Sequence, residues 1–387
     1  MMVGRILLMM LCMSLVAPVA SIGDDDSKSK QPSGKKTKKK PKKSARKKSR
    51  GGDVDMSSVP AAKKAEGKAL EGLGPTFKVM HTRHYSVLYD TSKESVDEFG
   101  TAIERTYRSC MKYTDKLGIK VRKPKRKLMI YYFESHETYN GHSVKLDLGE
   151  RPQSNPGVYF PSLNFSMFFN FRNQASYKAM RDKAEAEIEE IQEQLRRTKG
   201  AGRRSLQQKI KEARRRANWS NTQGGDQSES IVQHEVAHQV LWNIGFHNSK
   251  TFMANPRWLA EGTAMLFEPI ASGKSANIGK VNKERLEGYQ NMDRAGQLFP
   301  LVDMISTPAL FHSRQQQSKA YYQSWAMVHY LNRVKKKELK KYIELLNQRS
   351  ENYTSTPEQE LADFESIFGK PDRLWERKWK KWMERVR

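Results

Sequence analysis

A histidine pair inside an apolar stretch constrains this chain more than any other feature. The stretch SESIVQHEVAHQVLWNIG, which begins at Ser228, places His234 and His238 four residues apart. On a helix, that spacing projects both imidazoles from one face, one turn apart, where they can reach a single tetrahedral ion. Glu235 lies about 100° around the helix and can reach a water molecule beside such an ion without ligating it. Because burying these groups without partners is costly, the stretch predicts a metal site with Glu235 as general base.

The ends of this helix are marked by residue type. Asp226 and Glu229 resemble a capping box, which predicts that the helix begins just before Ser228. Gly245 is typical of a residue that ends a helix. The predicted helix therefore carries the histidine pair near its middle.

Zinc needs a third ligand, and the same helix does not supply it. A continuation as His-x-x-Gly-x-x-His is excluded because Leu241 and Ile244 occupy two of its positions. His247 lies beyond Gly245 and is interpreted as a loop histidine.

A glutamate on a following helix is the better source of the third ligand. The segment NPRWLAEGTA contains Glu261, with Asn255 as the expected cap and Pro256 at the first helical position. Pro269 is expected to close the element. Glu261 is therefore the predicted third ligand.

These motifs together resemble a known group of enzymes. His-Glu-Val-Ala-His followed by Trp-Leu-Ala-Glu-Gly is similar to the gluzincin metallopeptidases, the group of thermolysin and the zinc aminopeptidases. With YYQSWAMVHYL from Tyr321, the set resembles a largely uncharacterised family of secreted bacterial peptidase-like domains in that group. The resemblance covers residues 228–268 and 319–331. It implies a secreted zinc-dependent peptidase with one Zn²⁺ per chain and a peptide or protein substrate.

The resemblance implies roles for two further residues. Glu268, seven residues after Glu261 and so expected on the same helical face, is similar to an acid that hydrogen-bonds a zinc histidine. Tyr321 resembles the tyrosine that donates to the oxyanion, a role suited to a phenol that stays protonated at neutral pH. Tyr322 is adjacent, and the sequence leaves open which of the two takes this role. Endopeptidase and exopeptidase modes also stay open.

The chain as a whole predicts an α+β fold, which the resemblance makes zincin-like. Residues 76–387 are the expected catalytic domain, with a mainly β lobe at Thr76 to Asn173 and an α-helical C-terminal lobe after Ser228. Residues 176–217 repeat apolar positions at steps of four and three, which predicts a helical hairpin insertion with coiled-coil packing. The predicted elements of the first lobe are a hairpin at 77–89, a helix at 92–117, and strands at 127–133, 157–160 and 165–171.

The N-terminal region is predicted to lie outside the folded domain. Residues 1–21 read as a signal peptide, which favours a secreted, periplasmic or cell-envelope location. Residues 22–75 are expected to be a disordered basic linker, since Lys28 to Arg50 carries 13 Lys or Arg and no acid. That run is a candidate tether to an anionic wall polymer, a lipid surface or nucleic acid. No transmembrane span is expected.

Other features leave alternatives. Cys110 is expected to be a small buried hydrophobe, and the final helix carries Trp375, Trp379 and Trp382, for which core packing is favoured over lying on an anionic membrane. The alternative function is a non-catalytic secreted polyanion-binding protein with a structural or vestigial zinc site. It is disfavoured because structural zinc is usually held by cysteines.

Overall fold

The computed structural model describes residues 58–200, 202–269, 278–313 and 315–387. The predicted signal peptide and the basic run from Lys28 to Arg50 lie outside the described residues. The strands are β1 Lys78–His81, β2 Tyr85–Tyr89, β3 Leu128–Phe133, β4 Gly157–Phe160 and β5 Phe165–Phe169. The helices are α1 Lys63–Leu73, α2 Lys93–Leu117, α3 His136–Lys145, α4 Ala175–Arg197, α5 Gly202–Asn243, α6 Arg257–Ala264, α7 Lys283–Arg294, α8 Leu301–Ser306, α9 Gln317–Val334, α10 Lys336–Leu346, α11 Pro357–Phe368 and α12 Arg373–Met383.

The strands form one mixed sheet in the order β1-β2-β3-β5-β4. β1 and β4 run antiparallel to their neighbours, whereas β2, β3 and β5 are parallel. Helices cover both faces, so β3 (LMIYYF) is apolar at successive positions: Ile130 and Tyr132 join the main core, and Tyr131 and Phe133 join a smaller core on the opposite face. The α+β class is confirmed, and β4 lies at the edge of the sheet beside α5.

The sequence predicted a mainly β first lobe, and this prediction is wrong. α2 and α3 have 25 and 10 residues, while each strand has four to six. The parallel pairing of β2 with β3 requires a long crossover connection, and α2 provides it. The predicted hairpin and strands are nevertheless present.

The predicted disordered linker is wrong for its last part. Residues 63–73 form α1, whose Glu66 is buried and accepts hydrogen bonds from Ser86 on β2 and from His81. Val59 is buried as well. Leu70 and Leu73 of α1 pack on the smaller core. Apolar and polar contacts with the sheet therefore order this segment, which contains several glycines.

The helical hairpin is present, but its second helix is longer than predicted. α5 runs without a break for 42 residues, from the hairpin through the histidine pair. The expected helix start at Asp226 is therefore wrong, because the helix that packs with α4 simply continues. The carboxylate of Glu229 instead pairs with Arg105 of α2 at 2.5 Å. The helix ends as predicted, since Gly245 has a φ of 79°, which favours glycine.

The described residues after β5 contain no strand, as the sequence predicted. α6 and α9 cross at Gly262, where an added Cβ would lie 2.6 Å from the backbone oxygen of Ser324 and 2.5 Å from Val328. Only glycine allows this approach, which brings α9 next to the histidine pair.

The tryptophans of α12 pack in or against the core, which is the alternative that the sequence analysis favoured. Trp375 and Trp379 are buried, and Trp382 packs against Tyr330 at a ring distance of 5.5 Å. Cys110 is also buried, in agreement with its predicted role. Among the described helices, none combines the length and the apolar character needed to cross a membrane.

Candidate metal centre

Three side chains from two helices converge as predicted. His234 and His238 of α5 have their Nε2 atoms 3.1 Å apart. Oε2 of Glu261, on α6, lies 3.2 Å from the first and 3.3 Å from the second. All three residues are buried or nearly so, and together they form a group able to hold a metal ion.

The spacing of these atoms fits a zinc ion. Zinc–nitrogen and zinc–oxygen bonds of about 2.0–2.1 Å in a tetrahedron separate adjacent ligand atoms by roughly 3.3–3.4 Å. The observed separations of 3.1 to 3.3 Å are close to that edge length. Two imidazoles and one carboxylate are also a donor set typical of zinc. The residues present therefore fit the predicted ion.

An arginine side chain pairs with Oε1 of Glu261, the carboxylate oxygen that does not face the histidines. Nη2 of Arg257, one turn earlier on α6, lies 3.2 Å from Oε1 of Glu261. Burial raises the pKa of Glu261, but Arg257 and the two histidines outweigh that effect and hold the pKa well below its usual range. Glu261 is therefore a carboxylate, with one oxygen facing the histidines.

Glu268 supports His234, as the resemblance implied. Its Oε1 lies 2.9 Å from Nδ1 of His234. That acceptor favours a proton on Nδ1 and leaves the Nε2 lone pair facing His238 and Glu261. The predicted helical path to Glu268 is wrong, however. α6 ends at Ala264, well before Pro269, and a turn brings Glu268 to the site.

Sequence reasoning missed the groups behind Glu268. Nε and Nη2 of Arg285 on α7 donate to its two oxygens, each at 2.9 Å, and Asn282 donates to Oε2 at 2.7 Å. Burial raises the pKa of Glu268, but Arg285 and His234 lower it to about 2. No spacing rule links α7 to the motif residues, so only the folded chain reveals these partners.

The electrostatics around His234 favour a positive charge. Burial lowers its pKa, but the hydrogen bonds with Glu261 and Glu268 raise it to about 10. Either a proton or a metal ion satisfies that preference.

Glu235 is a buried carboxylate in the wall of the pocket that also contains His238 and Glu261. It is 3 % exposed, and its Oε2 accepts a hydrogen bond from the backbone N–H of Tyr159 on β4 at 2.9 Å. Burial raises its pKa, the two histidines lower it, and the net direction is upward. The sheet edge thus orients the carboxylate, and burial increases its basicity.

The two candidate tyrosines differ in position. The ring centre of Tyr321 lies 6.4 Å from that of His234. Tyr322 instead packs on Gly288 of α7, and the Arg285 guanidinium lies 5.8 Å from its ring centre. The geometry therefore favours Tyr321 as the residue next to the metal centre.

A pocket that is partly open to solvent lies beside the candidate ligands, with about 480 Å³ of empty space including that open part. The predicted loop histidine, His247, is part of its wall, because the turn at Gly245 folds the chain back along α5 and the His247 N–H bonds to the Leu241 carbonyl at 3.1 Å. In the sequence, Gly245 is the residue that could have indicated that the chain turns back here. The expected cap is wrong too: the Asn255 side chain bonds to the backbone of Asn248 instead of capping α6. The pocket is lined by Tyr159, Pro161, Glu235, His238, Trp242, His247, Phe252, Asn255, Arg257, Ala260 and Glu261.

Residues 228–352 match a family model. The family is described as Protein of unknown function (DUF1570). The matched segment covers about a third of the chain and includes the metal ligands, Glu268 and Tyr321. The sheet and most of the hairpin lie outside it. No curated protein and no solved structure matches this chain.

Proposed function

We propose that this chain is a zinc-dependent peptidase with a zincin-like fold, in which His234, His238 and Glu261 hold the ion and Glu235 is the general base. The observation that carries the proposal is the convergence of three ligand atoms within 4.8 Å beside a buried carboxylate that faces an open pocket. A purely structural zinc site has no use for such a carboxylate or for access from solvent.

The ion, when bound, lowers the pKa of a water molecule and polarises the scissile carbonyl. The chain's own residues then carry the protons. Glu235, oriented by the Tyr159 N–H, accepts a proton from the attacking water and passes it to the leaving amine. Tyr321 donates a hydrogen bond as negative charge develops on the carbonyl oxygen.

The edge strand β4 gives a peptide substrate a place to bind. Its Tyr159 lines the pocket and bonds to Glu235, and Pro161 follows at the same wall. An extended peptide that pairs with a sheet edge gains main-chain hydrogen bonds. Because Tyr159 of β4 and Glu235 line the same pocket, a peptide bound along this edge would lie close to Glu235, which supports peptide bonds as the substrate.

We also propose a secreted or cell-envelope location. The proposal rests on the signal-like first 21 residues, and the anionic partner of Lys28 to Arg50 remains a prediction.

The test is mass spectrometry of a diverse peptide mixture incubated with the zinc-loaded protein. Glu235→Gln is expected to abolish cleavage while keeping its zinc, and a chelator is expected to abolish cleavage too. Glu229→Gln is the matched control, since Glu229 lies on the same helix but pairs with Arg105. A Glu235→Gln protein that still cleaves refutes the assigned base. A zinc-loaded wild type that cleaves nothing favours the non-catalytic polyanion-binding alternative.

A further inference from the structure

We propose that a groove on the helical hairpin binds an acidic polysaccharide, a polymer that carries both anionic groups and hydroxyl groups. The groove, called the hairpin groove below, lies between α4 and the first part of α5. It shares no wall residue with the pocket of the metal centre. The inference therefore goes beyond the proposed peptidase function and does not depend on it.

The hairpin groove is concave and long. It contains about 1040 Å³ of empty space, including the part that is open to solvent. Gln192 and Leu195 form its α4 wall, and its α5 wall extends over residues 207–218. At 1.5 Å per helical residue, that wall is about 16 Å long. The groove therefore has room for a stretch of polymer and not just for one small ion.

Three cations in the hairpin groove lack a counter-charge. Lys211, Arg214 and Arg215 line it and are exposed, and none of them makes a hydrogen bond or an ion pair with another described residue. No Asp or Glu is among the described residues that form its walls. Like charges three or four residues apart on a helix destabilise it. An anionic ligand relieves this repulsion and is the complementary partner.

Other faces of the same hairpin contain acids that pair with cations. Arg216, the next residue of α5, does not line the groove and pairs with Glu187 of α4. Arg197 of α4 pairs with Glu193 at 2.8 Å. The hairpin therefore has carboxylates that can neutralise its cations, but none of those described lies in the wall of the groove.

The uncharged walls indicate what kind of polyanion fits. The side-chain amides of Gln192 and Gln207 line the groove without a hydrogen bond to any other described residue. Each amide has two donor hydrogens and an acceptor oxygen. Sugar hydroxyl groups also donate and accept, so they match these amides, while the anionic groups of the polymer match the cations.

Two other classes of polyanion fit these walls less well. Single-stranded nucleic acids stack their bases on aromatic side chains, and no aromatic residue is among the described wall residues. An acidic helix needs an apolar groove for its apolar face. The apolar wall residues here are Leu195 and Ile210, and Ile210 is only 8 % exposed. A sugar polymer needs neither feature.

The test measures how fast the arginines of the full-length protein react with phenylglyoxal, with residue-resolved mass spectrometry as the readout. Because this readout is local, binding of a polyanion to the run from Lys28 to Arg50 does not contribute to it. The main probe is hexagalacturonate, which carries carboxylates and hydroxyls. Maltohexaose has the hydroxyls without the charge. Hexaglutamate and a thymidine hexanucleotide have the charge without sugar rings rich in hydroxyls.

Hexagalacturonate is expected to slow the modification of Arg214 and Arg215 by about fivefold or more, because a carboxylate bound to a guanidinium shields it. Arg377, an exposed residue of α12 without a partner in the described part of the chain, is the reference and is expected to change by less than about twofold. Lys211→Gln is expected to weaken the protection. Lys209→Gln is the matched control, since Lys209 is exposed on the same helix but lies outside the groove.

Three results would overturn the inference. The first is equal protection of Arg377, which indicates non-specific binding. The second is an equal loss of protection in Lys209→Gln and Lys211→Gln. The third is protection by maltohexaose, hexaglutamate or the nucleotide that matches protection by hexagalacturonate, which shows that the groove does not require both charge and hydroxyls. None of these results depends on peptide cleavage, so the inference and the peptidase function fail separately.

Discussion

At the scale of single residues, charge compensation links the metal centre to α7. Arg285 holds both oxygens of Glu268, and Glu268 holds Nδ1 of His234. A buried carboxylate is costly unless it is paired. Arg285 therefore does not touch the ligand set but decides whether Glu268 can orient it.

Replacing Arg285 with Met is expected to weaken zinc binding by about 10- to 100-fold, because groups that orient a ligand histidine have effects of that size. The measurement is a competition titration of zinc with a chelating dye. Arg294→Met is the control, since Arg294 lies on the same helix and, among the residues that the structure describes, bonds to its neighbours Gln290 and Asn291. Equal zinc affinities for the two variants contradict the proposed linkage.

The sequence predicts the candidate ligands of the site better than the residues that surround them. His234, Glu235 and His238 follow from a fixed helical spacing, and Glu261 follows from a second short motif. Arg285 and His247 reach the site through the path of the chain, which no spacing rule encodes. The motifs therefore predict the ligands, and the resemblance predicts Glu268, but neither predicts Arg285 behind Glu268 or His247 in the pocket wall.

At the scale of elements, the contact between α6 and α9 determines the shape of the centre. α6 carries Glu261, and α9 carries Tyr321. Gly262 lets the backbone of α9 approach closely, as the short distances from its Cβ position to Ser324 and Val328 show. Without that approach, Tyr321 moves away from His234.

Gly262→Ala is expected to destabilise the fold by about 1–3 kcal/mol, since the added methyl group has no room. Zinc affinity is expected to fall as well, because the neighbouring Glu261 must shift. The checks are urea unfolding and zinc titration.

Gly141→Ala is the matched control for this change. Gly141 lies within α3, and an added Cβ there meets nothing within 4 Å. The free energy of unfolding of Gly141→Ala is expected to rise by roughly 0.5–1 kcal/mol because alanine has the better helix propensity. A Gly262→Ala protein as stable as the control refutes the steric account.

The lengths of elements were harder to predict than their types. Alternation and apolar runs predicted β2, β3 and β5, whereas α5 was expected to begin near Asp226 and in fact begins at Gly202. Capping residues act within a few positions along the chain, whereas the packing of α5 against α4 joins residues of two different helices. Tertiary contacts decided this boundary.

At the scale of the whole molecule, two histidines away from the metal centre are buried in environments that favour their neutral form. His329 on α9 stacks on Trp325 at 5.0 Å, and burial, reinforced by Arg333, lowers its pKa to about 4. Burial and Lys145 likewise lower the pKa of His142 to about 4. The fold therefore holds neutral imidazoles that the unfolded chain protonates readily.

This difference predicts acid sensitivity with a definite sign. The unfolded histidine titrates near pH 6.5, about 2.5 units above folded His329. Between these values the unfolded state binds more protons, so stability is fully present above the higher value and falls as the pH drops to the lower one. His329→Phe keeps a ring on Trp325. Over this pH range, its free energy of unfolding is expected to fall by up to about 3 kcal/mol less than that of the wild type. Urea unfolding at pH 7 and pH 4 measures it, and equal losses contradict the assignment.

The α+β class was predictable from the sequence, but the N-terminal boundary of the folded domain was not. Glu66 bonds to Ser86 of the sheet and Val59 bonds to the backbone of Arg83, so residues before the predicted domain belong to the fold. Their contacts are with residues far along the chain, which composition does not encode.

The most direct test of the account is the zinc content of the protein after loading and dialysis. The wild type and Glu235→Gln are expected to retain about one zinc ion per chain, and His238→Ala and Glu261→Ala to retain almost none, since a three-residue ligand set tolerates no such loss. Wild-type protein without zinc, or ligand variants that keep it, would contradict the assignment of the metal centre and the peptidase function built on it.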